Sequence, residues 1–332
     1  MKKITILGCG TWGSALSQSL ALNGHSIYVW HYKPDVLEKM RDTRKHSKLD
    51  DFTFHENINF DADLSKCISK SKIIVVSVPS HAMRELMIKS NNYYSDDSII
   101  VNVSKGLENN TLKRMSEVIL DELSIKLNQV VSLYGPSHAE DVINGSPTTL
   151  VASSISESSS AIIQNIFSSN LLRVYTNNDI KGVELGGSIK NVIAIAAGIC
   201  DGIGYGDNTK AALLTRGIYE ITCLGEAMGA KVSTFSGLSG IGDLIVTCLS
   251  KHSRNRYLGE AIGKGKKLNQ ILNNMDMVAE GVKTTKSVYD LSIKYKIDMP
   301  ISIAVYKVLF NDEDPKTIVL DLMNRELAQE TF

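Results

Sequence analysis

A short apolar run, residues 3–7, passes directly into Gly8-Cys9-Gly10-Thr11-Trp12-Gly13 and then into a helical pattern that ends near Asn23. This order of strand, glycine turn and helix constrains the fold more than any other feature of the chain, because G-x-G-x-x-G in that context opens a parallel sheet that binds a dinucleotide. Each glycine has its own task. Gly8 permits the tight turn, Gly10 lets a pyrophosphate come close to the backbone, and Gly13 allows the helix to pack on the strand. The amides of Thr11, Trp12 and Gly13 at the helix start then face the phosphates.

The remainder of the first half agrees with that beginning. Further strand patterns at 26–30, 73–78, 99–103 and 130–133 alternate with helical ones, which predicts a parallel sheet covered on both faces. Two more, at 148–152 and 172–175, flank a serine-rich stretch, 153–160, and extend the sheet in mixed orientation. After residue 178 only helical periodicities remain, at 183–199, 210–228, 255–262, 284–295, 301–310 and 315–324. The expected architecture is α/β: a Rossmann-type, doubly wound dinucleotide-binding domain over 1–178 and an all-helical substrate-binding domain over 179–332, meeting across a broad interface with a cleft.

Bulk properties exclude several classes. Lys+Arg and Asp+Glu both number 36, so no global field draws the chain to nucleic acid or to anionic membrane. Five cysteines, Cys9, Cys67, Cys200, Cys223 and Cys248, form no C-x-x-C pair and leave one over in any disulfide scheme, which fits a reducing, cytoplasmic setting. The glycines at 8 and 10 cut the first apolar run too short for a signal peptide, and no uninterrupted apolar stretch approaches the roughly 18 residues of a membrane span. In that setting the Asn102 and Asn109 glycosylation patterns are chance matches. No metal-ligand spacing is found.

The end of the second strand reads Trp30-His31-Tyr32-Lys33, where an NAD enzyme commonly carries Asp or Glu for the ribose hydroxyl. Without a carboxylate, a 2′-phosphate is not repelled, and His31 or Lys33 can attract it. NADP is therefore favoured over NAD, with a plain solvated loop as the alternative. Val78-Pro79-Ser80 is either a ribose contact or a proline that stops a strand.

Catalytic candidates come from isolated cations. Between Leu185 and Cys200, Lys190 is the only ionisable side chain besides the terminal thiol, and Gly186, Gly187, Ala194 and Ala197 share its helical face. Such a face admits close approach. Held dry on it, an ammonium becomes able to give or take a proton near neutral pH. Lys105 follows the strand at 99–103, at the edge where open α/β sheets bind ligands. Gly135-Pro136-Ser137-His138-Ala139 also follows a strand and offers backbone N–H groups, with His138 in a supporting role. Asp243 and Thr247, four apart, share a helical face and can orient the lysine, although Asp243 can equally cap a helix. Ser253-Arg254-Asn255-Arg256 suits a phosphate, since arginine supplies a planar fork beside helix-start amides. A capped helix with surface arginines is its plain alternative.

Taken in order, these segments, with Ser104-Lys105-Gly106-Leu107-Glu108, Gly240-Ile241-Gly242-Asp243-Leu244 and Val278-Ala279-Glu280-Gly281, resemble the bacterial type of NAD(P)-dependent glycerol-3-phosphate dehydrogenase over nearly the whole chain. The resemblance implies reduction of dihydroxyacetone phosphate to sn-glycerol 3-phosphate, supplying the glycerol backbone for phospholipid synthesis, by a homodimer. It implies that Lys190 donates and accepts the proton, that Lys105 binds substrate near the carbonyl, and that Asp243 and Thr247 assist. Gly135, Ser137, Ser253, Arg254 and Asn255 would hold the phosphorylated substrate. Thr11, Trp12, His31, Lys105, Ala139, Arg254, Val278 and Glu280 would surround the cofactor. Many bacterial relatives carry Arg or Lys near His31, and this departure leaves NAD against NADP open. Two rivals stand beside this reading: a reductase of hydroxy or keto acids with a similar two-domain plan, and a nucleotide-binding redox sensor without turnover.

Overall fold

A computed structural model describes residues 1–275, 279–327 and 329–330. The chain forms two compact units, one of Met1–Lys105 with Arg114–Ile180, the other of Gly106–Lys113 with Lys181–Phe332.

The first unit holds eight strands: β1 (Lys3–Leu7), β2 (Ser26–Trp30), β3 (Ile58–Phe60), β4 (Ile73–Val76), β5 (Ile99–Asn102), β6 (Val130–Tyr134), β7 (Thr148–Ser153) and β8 (Leu172–Asn177). They lie in the order β3-β2-β1-β4-β5-β6-β7-β8. The pairs from β3 to β6 are parallel, β7 runs antiparallel to β6, and β8 is parallel to β7, which is the mixed extension expected. Strands β4 and β6 are buried along their whole length, as strands covered on both faces should be. Strand order reverses between β1 and β4, and Leu7 lies opposite both Trp30 and Val76. The next residues, Gly8, His31 and Ser77, therefore stand in one row at the carboxyl edge, the position where such sheets bind ligands.

Two differences from the sequence-based expectation have local causes. β3 has only three residues, too few to show a period. β4 stops at Val76 because the Val78 N–H leaves the ladder and donates to Ser104 Oγ at 3.2 Å.

The second unit is helical among the described residues, built around Ile180–Ile203. This helix is long and apolar enough to cross a membrane by length and composition, although Lys181, Glu184, Lys190 and Asp201 interrupt its apolar run. Its apolar window is wholly buried inside the protein, however, and Ile189, Val192, Ile193 and Ile195 form one core with Leu224, Phe235, Leu258, Leu291 and Val305. Helix Arg254–Gly263 packs on it backbone to backbone. A Cβ at Gly198 would lie 2.0 Å from Arg256 O, and one at Gly259 would lie 2.0 Å from Ile195 O.

A buried carboxylate closes one helix end in this unit. Glu220, 2% exposed, accepts from the N–H groups of Ile301 (2.6 Å) and Ser302 (3.0 Å) and from the Ser302 hydroxyl (2.8 Å). It thereby caps helix Pro300–Phe310, whose Met299 N-cap offers no side-chain bond. Burial pushes the Glu220 carboxyl up to about 7, against the pull of those donors. Because the folded value lies above the unfolded one, the neutral form favours folding below the ordinary carboxyl range, and that contribution is lost as pH rises through about 7. Glu220→Gln cannot accept at both ends and is expected to lower stability by roughly 1–3 kcal/mol. In thermal melts the gap between the two proteins should be wider at acid pH than above neutrality. An equal gap at both ends of that range would show that Glu220 does not titrate there.

Candidate active site

In the first unit the glycine turn has the geometry its spacing demands. Gly8 sits at φ +106°, and a Cβ there would lie 2.3 Å from Ser77 O; one at Gly13 would lie 2.1 Å from Gly8 O. Gly10 differs, for no described atom lies within 4 Å of where its Cβ would be. Nothing inside the protein requires glycine at position 10, whereas a phosphate lying on the backbone would. Helix Thr11–Leu22 starts with no side-chain cap and no acidic residue in its first turn, so its leading N–H groups remain available to an anion. These residues fit a dinucleotide pyrophosphate.

At the end of β2, His31 Nδ1 accepts from Lys33 N at 3.1 Å, and burial holds the His31 pKa below its usual value. Lys33 Nζ lies 5.6 Å from the Tyr32 ring centroid. Sequence patterns do not single out His46, which is 7% exposed and hydrogen-bonds the backbone of Cys9 inside the glycine turn. It sits in an aperiodic loop, where no local signal marks it.

Farther along the same edge, Lys105 Nζ donates to Gly135 O at 3.0 Å, and Ser137 Oγ donates to the same carbonyl at 2.9 Å. Gly135 is at φ +142°, and a Cβ there would press on Thr149 O at 3.0 Å. Beneath Lys105 lies a buried polar network. Asn102 Nδ2 donates to Tyr134 Oη at 3.1 Å, Asn102 Oδ1 accepts from Ser104 N at 3.0 Å, and Tyr134 Oη donates to Ser104 O. Sequence reasoning missed this role of Asn102 and Tyr134, although an amide closing the apolar run of β5 is a legible signal. Ala139 begins helix Ala139–Ile143, which has His138 at its N-cap and packs against Thr11–Leu22.

In the second unit three candidates meet. Lys190 Nζ donates to Asp243 Oδ1 and, at 2.6 Å, to Thr247 Oγ1, which in turn donates to Asp243 O at 2.6 Å. All three are buried, with Lys190 only 4% exposed. The helical face on which Asp243 and Thr247 were expected is the one observed, on Asp243–Leu249. The small residues beside Lys190 also have an explanation: a Cβ at Gly186 would lie 2.7 Å from Ser239 O. What approaches closely there is the Ser239–Gly240 backbone, which carries Asp243 to the lysine.

Ser253 is the N-cap of Arg254–Gly263, its Oγ accepting from Arg256 N at 3.2 Å, so the capping alternative holds for this serine. Asn255 is buried and its Oδ1 accepts from Gly281 N at 2.9 Å. Arg254 is exposed on the first turn, and Glu280 begins helix Glu280–Tyr295. Val278 lies outside the described residues. All five cysteines are free thiols, and burial pushes Cys9, Cys67 and Cys248 up to about 12, which makes them poor nucleophiles. Among the described residues no cluster of His, Cys, Asp and Glu could hold a metal ion.

Comparison with known proteins matches both regions of the chain to one family. Residues 3–160 match the N-terminal, and residues 179–320 the C-terminal, region of the NAD-dependent glycerol-3-phosphate dehydrogenases. A protein of Chlorobium phaeobacteroides strain BS1 named as an NAD(P)+ glycerol-3-phosphate dehydrogenase is 48% identical over 330 residues, covering 99% of each chain. The solved glycerol-3-phosphate dehydrogenase of Coxiella burnetii is 34% identical with a TM-score of 0.93, over 98% of this chain and 99% of that one. A ketopantoate reductase of Ralstonia eutropha, 15% identical with a TM-score of 0.62 over 97% of this chain and all of its own, shares the fold alone.

Proposed function

The chain belongs to the NAD-dependent glycerol-3-phosphate dehydrogenase family, and from that premise we propose how its residues divide the work. The reaction is the reversible NAD(P)H-dependent reduction of dihydroxyacetone phosphate to sn-glycerol 3-phosphate, the backbone of phospholipids. When bound, the nicotinamide supplies the hydride. Lys190 protonates the oxygen of the carbonyl as it becomes an alkoxide, and in the reverse direction takes that proton back. Asp243 and Thr247 aim the amine. Lys105 stabilises negative charge developing on the substrate oxygen, its own position set by the Gly135 carbonyl. Arg254, with Ser253, Asn255, Gly135 and Ser137, holds the phosphate, so that binding energy far from the reacting carbon orients it.

Gly8, Gly10, Thr11, Trp12 and Gly13 hold the cofactor pyrophosphate, with Ala139, Val278 and Glu280 assigned to the same cofactor. Either NAD or NADP serves. NADP is favoured by the lack of a carboxylate after β2, with Lys33 the stronger attraction because burial disfavours the charged form of His31. Family membership further suggests a homodimer in the cytoplasm.

The observation that carries this reading is the buried ammonium of Lys190 held by Asp243 and Thr247, an arrangement that a redox sensor has no need of. The test is the disappearance of NADH and NADPH absorbance in parallel assays. Oxidation is expected with dihydroxyacetone phosphate and not with pyruvate or ketopantoate, and inorganic phosphate should compete with the substrate. Faster turnover of a keto acid, or none of dihydroxyacetone phosphate, would overturn the reading.

A further inference from the structure

A second ion-pair cluster lies in the helical unit, apart from Lys190 and Asp243. Asp201, on the long helix Ile180–Ile203, receives Lys210 Nζ on Oδ1 at 2.5 Å. On Oδ2 it receives Arg256 through Nε and Nη2, both at 2.7 Å. Both carboxylate oxygens are thus held by charged donors from two other helices, Asp207–Ala227 and Arg254–Gly263. The carboxylate is 13% exposed, with Lys210 at 18% and Arg256 at 20%, so the pairs are worth more than surface ones.

Arg256 is engaged on three sides. Its N–H closes the Ser253 cap, its carbonyl lies against bare Gly198, and its guanidinium is fastened to Asp201. The turn 253–255 is continuous with it. Lys190 and Asp201 stand eleven residues apart on one helix. At 100° per residue that is three turns plus about 20°, so they share a face, separated by about 16 Å along the axis. A single rigid helix therefore carries the proton-transferring amine and the anchor of the phosphate-binding turn.

We propose that Asp201 is a positioning residue: by fastening Arg256 it sets the turn 253–255, and with it Arg254, in register with Lys190, so that the phosphate end of the substrate is gripped where the carbonyl end can react. The inference rests on the reading of Arg254 as the phosphate grip. It does not make Asp201 touch substrate or cofactor.

The test is the steady-state kinetics of Asp201→Asn with dihydroxyacetone phosphate and with dihydroxyacetone, which lacks the phosphate. The expected result is a KM for dihydroxyacetone phosphate raised about tenfold, with kcat and the KM for NADH or NADPH changed less than about threefold and kcat/KM for dihydroxyacetone unchanged. Arg256→Gln should reproduce this pattern, and the double variant should add little to either single one. Arg256→Gln carries the test if Asp201→Asn does not fold. An unaltered KM for dihydroxyacetone phosphate, or an equal loss with dihydroxyacetone, would overturn the positioning role. Arg254→Ala separates the two readings: if it too leaves that KM unaltered, the phosphate assignment fails, whereas a raised KM there beside an unaltered Asp201→Asn defeats only the role of Asp201.

Discussion

Lys190→Ala is expected to lower kcat by about a thousandfold, the middle of the range for loss of a positioned general acid and base. Cofactor binding should persist, because the glycine turn belongs to the other compact unit. Truncation strands the buried carboxylate of Asp243, and breaking such a pair costs about 3–5 kcal/mol, so the variant must be shown folded by its melting curve before its rate is read. Lys190→Met with Asp243→Leu removes both charges and should recover much of the lost stability while recovering none of the turnover. Rate and stability then part company, as proton transfer requires. Turnover of Lys190→Ala within tenfold of the parent would end the proposed chemistry.

The second large effect lies in the glycine turn, where two glycines three residues apart should both weaken cofactor binding on the same change while only one of them loses stability. A Cβ at Gly13 would lie 2.1 Å from Gly8 O, so Gly13→Ala must push helix Thr11–Leu22 off β1. The expected loss is about 2–4 kcal/mol of stability, together with cofactor binding. Gly10→Ala meets no described atom within 4 Å. Its melting temperature should match the parent, while the KM for NADH or NADPH rises about tenfold, because the methyl occupies space reserved for the pyrophosphate. Thermal melts beside cofactor titrations decide this. If Gly10→Ala binds the cofactor normally, the phosphate does not lie over residue 10.

Much of the site is legible in the sequence because its parts are local. The tasks of Gly8 and Gly13 follow from spacing alone, and the close contacts at both positions agree with them. A separation of four places Asp243 and Thr247 on one face, and they share that face around Lys190. What sequence reasoning missed lacks a local period. β3 is three residues long, His46 reaches the glycine turn from an irregular loop, and the Asn102–Tyr134 bond joins residues 32 apart. The long helix has the length and composition of a membrane span despite its interrupted apolar run, and its burial makes it a core helix.

The sequence by itself determined the class of sheet, the strand-turn-helix geometry around the glycines, the helical character of the second half and the isolation of Lys190 on a helix of small residues, from which its proposed role comes. Periodicity and fixed spacing encode such features within a few turns of chain. Only the tertiary structure decided that Asp243, rather than serving merely as a cap, receives the Lys190 ammonium, and that Gly186 makes room for the backbone of Ser239 and Gly240. It also decided that Asp201 gathers Lys210 and Arg256. These partners lie far apart along the chain, and a buried charge takes whichever counter-charge the packed helices bring within hydrogen-bonding reach.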